Sequence, residues 1–251
     1  MTNNYSDKPA PLAPTAIYES VERILQNQSR GRLLDIPAGE GALAERLKQI
    51  GFDVVCADLY PEIFRLEGVE IKSADLDSNL PYEDNSFDYI VCVGGLGNAD
   101  NPANAILEFA RILRPNGQLL VNIPNISNIE ERLKWLFYGY SSHYKPPSRE
   151  ALAIIRGKQY GALEEVYIQH NMISYSEMRY LLEKNAFTLQ RTHMDKPKKN
   201  SWLYYPLTGL IRLLGNFSSA EKRKMRWTDE LNSKEVLRGG NTLVFQAVLK
   251  K

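Results

Sequence analysis

Histidine and cysteine are scarce in this chain, with three of the first and two of the second in 251 residues. Both cysteines, Cys56 and Cys92, sit inside apolar runs that read as separate strands. Two buried thiols in different strands argue against a disulfide or a metal centre and for a reduced, intracellular protein. Charge of one sign is lacking too. Lys plus Arg number 31 against 30 for Asp plus Glu, a formal net charge of +1, so no global basic field points to nucleic acid. No run of about 18 apolar residues exists to span a bilayer, and no segment repeats. The stretch MTNNYSDKPAPLAP is polar and proline-rich without the apolar centre of a signal peptide, so residues 1–14 are expected to form a flexible arm. What remains is a soluble, cytoplasmic chain long enough for one large domain with a sizeable core.

The organising stretch is Arg32-Leu33-Leu34-Asp35-Ile36-Pro37-Ala38-Gly39-Glu40-Gly41-Ala42-Leu43. It reads as a buried strand ended by a carboxylate, a glycine turn, and a helix whose apolar face runs through Leu43, Leu47 and Ile50. In α/β sheets that is where ligands sit, in the crevice beyond the carboxyl ends of the strands. A helix over Thr15 to Gln28 precedes it. A second strand, Phe52 to Asp58, follows Gly51, then a short helix from Pro61 and a brief strand, Val69 to Asp75. Asp88 to Val93 is a continuous apolar run of the kind expected in a central parallel strand. A helix from Pro102 to Leu113 ends at the turn Arg114-Pro115-Asn116-Gly117, and Gln118 to Ile123 is the next strand. Strand and helix alternate throughout, which predicts a doubly wound α/β sheet.

The regularity breaks at Pro124. Residues 126–173 hold a helix from Ile129 to Tyr138, an aromatic, polar connection with Tyr140, His143, Tyr144, Pro146 and Pro147, and a second helix around Arg149 to Ile155. Insertions this long in a compact domain are usually lids or binding elements. The pattern resumes with a helix from Tyr175 to Lys184, N-capped by Ser174, and strands from Phe187 to Met194 and Thr242 to Leu249.

In this register the chain resembles the class I S-adenosylmethionine-dependent methyltransferases, closest to the type 11-like group that acts on small molecules. LLDIPAGEG, VVCADLYPE, ADLDSNLPYEDNSFDYIV and RILRPNGQLLVNIPN match the family's successive motifs in order and spacing. The match is strong over residues 15–125 and weaker over 160–190. The resemblance implies a Rossmann-like, mostly parallel seven-stranded sheet with helices on both faces and a helical lid after the fifth strand. Residues 15–251 would then be one methyltransferase domain, with a cofactor-binding half (15–125), a lid (126–173) and a C-terminal half (174–251).

It also implies the cofactor, S-adenosyl-L-methionine, and the residues that hold it. Gly39 and Gly41 would let backbone approach the methionine part, with Pro37, Ala38 and Val93 around it. Asp35 would face the amino-acid end, helped by the helix N-terminus from Ala42. Asp58, about 20 residues beyond the glycines, would take the ribose hydroxyls. Asp75 and the Leu76 amide would meet the adenine edge, with apolar cover from Leu59 and Leu76. Taken singly, Asp35 would read as a turn cap and Asp58 as a solvated acid; the joint spacing favours the ligand.

Two departures stand out. Pro37 replaces the motif's first glycine, which is tolerable only where that amide is not needed. After the fourth strand, relatives that hold a metal carry acids and a histidine, where this chain has Val93-Gly94-Gly95-Leu96-Gly97-Asn98, so no metal is expected. Methyl transfer from a sulfonium needs positioning first, and a general base only where the acceptor must lose a proton. The candidate bases are His170, just before the Ser174 helix, and His143 in the lid; His193, on a strand, reads as structural. A late segment, 202–226, places Leu207, Leu210, Ile211 and Leu214 on one helical face ahead of a basic cluster. It is expected to meet the lid, a second copy in a homodimer, or a membrane surface peripherally.

The expected function is methyl transfer to a small-molecule acceptor, at oxygen, such as a quinone, lipid or saccharide. The alternative is a catalytically silent S-adenosylmethionine-binding regulator. A nucleic-acid substrate is disfavoured by the balanced charge.

Overall fold

A computed structural model of the chain describes residues 8–143, 171–198 and 201–251. The elements run α1 (Thr15–Leu25), β1 (Arg32–Asp35), α2 (Ala42–Gln49), β2 (Asp53–Asp58), β3 (Ile71–Ser73), β4 (Phe87–Cys92), α3 (Pro102–Ile112), β5 (Leu113–Pro124) and α4 (Ile129–Tyr138). After the insertion come α5 (Tyr175–Lys184), β6 (Phe187–Met194), α6 (Tyr205–Gly215), α7 (Ala220–Met225), α8 (Thr228–Leu231), α9 (Lys234–Leu237) and β7 (Thr242–Leu249).

The seven strands form one sheet in the order β3-β2-β1-β4-β5-β7-β6. The first five pair in parallel, and β7 runs antiparallel to both β5 and β6. This is the doubly wound, mostly parallel Rossmann-like sheet expected from the sequence. Because successive side chains point to opposite faces, each strand feeds two cores. Leu33, Cys56, Tyr89, Val91, Leu120 and Val244 pack with α1 and α2 on one face. Leu34, Ala57, Ile90, Cys92, Val121 and Phe245 pack with α3 and α5 on the other. That double burial is why the central strands read as unbroken apolar runs. Both cysteines are free and buried, one in β2 and one in β4.

From β1 the chain winds outward through β2 and β3, then returns to lay β4 and β5 on the other side. The reversal leaves a crevice between the carboxyl ends of β1 and β4, the usual ligand position in such sheets. Four elements begin and end where the apolar period and caps placed them: α4, α5, β6 and β7. For α5 the cap is complete, since Ser174 Oγ accepts the Glu177 amide while the Glu177 carboxylate reaches back to the Ser174 amide.

Other boundaries moved. The α1 helix stops at Leu25, β3 shrinks to three residues, and the turn at Pro61 is a 3-10 helix, Pro61–Ile63. The turn Arg114–Gly117 is absorbed into β5 as a bulge: Phe87 pairs with Leu113 and Tyr89 with Gln118, while Asn116 takes a φ of 63°. The insertion opens with α4. Residues 144–170, with the predicted helix at Arg149 to Ile155 and His170, lie outside the described residues.

Candidate active site

Asp35 ends β1 on the face covered by α2, so its side chain points under that helix's first turn. It is 1% exposed, and neither carboxylate oxygen has a hydrogen-bond partner among the described residues. Burial pushes its carboxyl up to about 8; the neighbouring Asp58 carboxylate adds to the rise, and the Ala44 amide opposes it without completing a hydrogen bond. A buried acid with no donor is costly to keep charged, so it reads as half of an interaction awaiting a cation.

The glycine turn is held over it from two sides. The Ala38 amide donates to the Ala57 carbonyl at 2.9 Å, and the Gly39 amide donates to Asp58 Oδ2 at 2.8 Å. Asp58 Oδ1 accepts the Tyr60 amide at 2.9 Å. Burial raises the Asp58 carboxyl, and the Tyr60 and Gly39 amides hold it back. A carboxylate has about four acceptor positions, so two remain for donors such as a pair of ribose hydroxyls. Gly39 and Gly41 both need positive φ, 55° and 98°, and each has chain packed against the side where a Cβ would stand. A Cβ at Gly41 would meet Phe64 and Leu66 of the loop after β2, at 2.8 Å. At Gly39 it would meet Leu12 at 2.7 Å. The described part of the arm therefore lies across the turn, and the Ala10 amide donates to the buried Glu40 at 2.8 Å.

The loop after β4 closes the crevice. A Cβ on Gly95 would stand 2.7 to 2.8 Å from Pro37, Cys92 and Leu76, so this glycine brings three loops together. Gly94, at φ 77°, borders open space: a Cβ there would meet nothing within 4 Å. Its amide donates to Asn122 Oδ1 at 2.8 Å, and its carbonyl accepts Asn98 Nδ2 at 3.1 Å. Asn98 Oδ1 is a second buried acceptor without a partner. Asn171, the first described residue after 144–170, donates its amide to the Gly97 carbonyl at 3.0 Å and its side chain to Ala99.

The fold thus brings together Asp35, Pro37, Ala38, Gly39, Asp58, Leu76 and Val93. Asp75 follows directly, because the Ala74 amide donates to the Asp58 carbonyl at 2.9 Å. Its carboxylate accepts the Asp77 amide at 2.9 Å, while Asp77 accepts the Asp100 and Asn101 amides and so anchors the start of α3. Leu59 is half exposed beside Asp58. Gly41 lies two residues beyond Gly39, with Phe64 and Leu66 on the side where a Cβ would stand. His143 stands apart, at the start of β7: Nε2 lies 3.2 Å from the Asn241 carbonyl and Nδ1 3.5 Å from Glu131.

Glu131 is a residue the sequence reading passed over. Fully buried at the root of the insertion, it accepts from Lys134 Nζ and Ser141 Oγ at 2.8 Å, from the Ser142 amide at 2.9 Å, and from the Ser142 hydroxyl. Burial would raise its carboxyl, but Lys134 and the two serines outweigh that and hold it near 2. Its i,i+3 spacing to Lys134 looks like an ordinary surface pair; only the Ser-Ser-His run after the helix hints otherwise. Among the described residues no group of three or more His, Cys, Asp or Glu could hold a metal.

A family model described as "Methyltransferase domain" matches residues 12–189. The chain belongs to this methyltransferase-domain family. A demethylmenaquinone methyltransferase from Renibacterium salmoninarum is 34% identical over 96 residues, 36% of this chain and 40% of that protein. An uncharacterised methyltransferase from Mycobacterium tuberculosis is 35% identical over 123 residues, 47% of this chain and 48% of that one. The chain thus spans about half the length, or less, of these curated relatives. A SAM-dependent methyltransferase from Thermotoga maritima superposes with a TM-score of 0.55 at 18% identity, over 94% of this chain and 90% of that structure. That structural likeness extends over most of the chain and supports the fold. The methyltransferase domain makes S-adenosylmethionine the cofactor to place, and the residues present fit it. Two partnerless acceptors, Asp35 and Asn98, suit its cationic, donor-rich amino-acid end, and Asp58 retains capacity for the ribose.

Proposed function

We propose that this domain transfers a methyl group from S-adenosylmethionine to a hydroxyl-bearing small molecule, at oxygen. The observation that carries the reading is the buried, partnerless Asp35 carboxylate at the mouth of the β1–β4 crevice. When bound, the cofactor supplies an electrophilic methyl with a neutral leaving group. The chain's own part is to hold and orient. Asp35 would pair with the ammonium, Asp58 with the ribose hydroxyls, and Asp75 with the Leu76 amide would edge the adenine. Pro37, Ala38, Gly39, Gly41, Val93 and the side chains of Leu59 and Leu76 would supply the surrounding contacts. Gly94 leaves room beside this site for the acceptor.

The relative's name makes a quinol-like ring the first acceptor to try. Relatives named as ubiquinone/menaquinone biosynthesis C-methyltransferases make a ring carbon the competing site; attack through oxygen asks less of the protein, because a phenol-type hydroxyl (pKa about 10) loses one proton and no ring proton has to leave after transfer. His170 is the base to substitute first, because the next residue, Asn171, is tied to the loop after β4; His143 is the second. Calorimetry with S-adenosylmethionine, followed by mass-spectrometric detection of S-adenosylhomocysteine with phenolic and quinol acceptors, tests the reading. Binding with turnover is expected. Binding with no turnover on any acceptor would point to the silent regulator, and no heat at all would remove the cofactor assignment.

A further inference from the structure

A surface helix of a globular domain turns its apolar stripe inward and its polar side to water; α6 buries only part of its apolar surface, with Leu207 and Ile211 half-buried beside Thr208 and the other leucines exposed. Thr208 is the buried residue of this helix, and its hydroxyl donates to the Tyr205 carbonyl at 3.1 Å. Arg212 Nε donates to the Asn232 carbonyl at 2.8 Å, and Arg132 of α4 binds the Asn232 side chain at 2.9 Å, so polar contacts fasten the helix to the domain. Gly215 packs close to Asn232 on the same side. Trp202, Leu203, Leu210, Leu213, Leu214 and Phe217 are left outward, with exposures from 49% at Leu210 to 80% at Phe217. Among the described residues nothing covers them.

The charge around this face is as lopsided as its packing. From Lys196 to Arg226 the sequence holds eight Lys or Arg residues and one carboxylate, Glu221, in a chain whose net charge is +1. Lys198 pairs with Glu130 and Arg223 with Asp229. Lys222, Lys224 and Arg226 are exposed directly after the helix, and no salt bridge among the described residues includes them. The segment leaves the sheet at the carboxyl end of β6 and returns at Thr242, which pairs with Pro124 at the carboxyl end of β5. It therefore springs from the same edge of the sheet as Asp35 and Gly94.

We infer that α6, with the basic stretch that follows it, is a peripheral docking face for an anionic membrane surface. The leucines, Trp202 and Phe217 enter the headgroup boundary, and Lys222, Lys224 and Arg226 meet lipid phosphates. A second copy of the chain is the poorer occupant, because a two-fold interface would set one basic segment against another. No helix among the described residues is long and apolar enough to cross the bilayer, so the contact is interfacial. Docked this way, the acceptor side of the sheet faces the lipid.

Co-sedimentation of the full chain with phosphatidylcholine vesicles, and with vesicles of equal phosphatidylcholine and phosphatidylglycerol, tests this without any methyl transfer, so it stands or falls apart from the proposed activity. Binding to the anionic vesicles, weakened by salt, is expected. The triple variant Leu210→Glu, Leu213→Glu, Phe217→Glu should lose it. Lys222→Gln, Lys224→Gln, Arg226→Gln should weaken it roughly a hundredfold, at about fivefold per cation. The second variant decides alone if circular dichroism finds the first unfolded. Wild-type protein left in the supernatant at low salt would overturn the inference, as would variants that bind like wild type. So would a dimer by sedimentation velocity that the apolar variant dissolves while neither protein binds vesicles.

Discussion

Replacing Asp35 by asparagine probes the site most directly, because the structure sets both the sign and the size of the effect. With its carboxyl raised to about 8, Asp35 carries a proton in the ligand-free domain at neutral pH. An ammonium bound beside it favours the carboxylate, so binding must release that proton. The apparent affinity should therefore rise about tenfold per pH unit between pH 6 and 7 and roughly twentyfold in all between pH 6 and 8. The ligand's own amino group, with a pKa near 7.7–8.0, loses its charge over the upper part of that range, so affinity should peak near pH 8 and fall again above it. Calorimetry in buffers of different ionisation enthalpy should find close to one proton released at pH 6.5. Asp35→Asn should weaken binding at pH 8 by at least tenfold and flatten the acid side of the profile. The ligand-free protein carries the opposite signature. The folded carboxyl sits above its unfolded value of 3.8, so stability is full below that pH and drains as pH rises toward 8. The variant should then be the more stable apo-protein at pH 8, since asparagine cannot ionise, and the gap in Tm should close as pH falls toward about 4. A pH-independent Kd between 6 and 8 together with no proton release would refute the assignment.

Two further changes test the frame around the site. Gly95→Ala should destabilise by about 1–3 kcal/mol, since its Cβ would press on Pro37, Cys92 and Leu76. Gly94→Ala meets no neighbour and should cost about 1–2 kcal/mol for its positive φ alone; a Gly95→Ala variant that melts with the wild type would contradict the packing. Glu131→Gln should cost about 3 kcal/mol at neutral pH. In the wild type that stability is present above about 4.5 and lost as pH falls toward about 2. A variant whose acid-unfolding profile overlays the wild type would show that the Lys134–serine cluster does not hold the carboxylate.

Much of the frame could be read from the chain because local signals and burial agree there. Ser174 and Glu177 announce α5, and the apolar periods of α4, β6 and β7 start and stop at the observed residues. Where they disagree, the reading slipped. Arg114 to Gly117 has turn chemistry, yet the Phe87–Leu113 pairing carries the ladder past it. The glycines of the first motif signalled close approach to a cofactor, but not the second constraint on Gly41, the packing of Phe64 and Leu66 where a Cβ would stand. The polar, proline-rich arm gave no reason to place Leu12 on Gly39. Glu131 was hidden because a buried and a solvated Glu–Lys pair have the same spacing. For α6 the leucine stripe was plain in the sequence, but periodicity defines a stripe and not its direction. The fold of its neighbours around Asn232 leaves Leu207 and Ile211 half-buried and turns Leu210 and Leu214 outward.

The place of β7 has a consequence for how the chain assembles. It follows every other strand in sequence, yet it is inserted between β5 and β6, joining Gln118 to Val248 and Phe187 to Leu249. Until residues 242–249 leave the ribosome, β5 and β6 have no link to each other in the sheet, and each presents a bare edge that any extended segment could pair with. The first five strands can order early, but closing the sheet waits on contacts more than a hundred residues apart, which is slow. A chain cut before Thr242 would therefore be exposed to aggregation as well as lacking a strand.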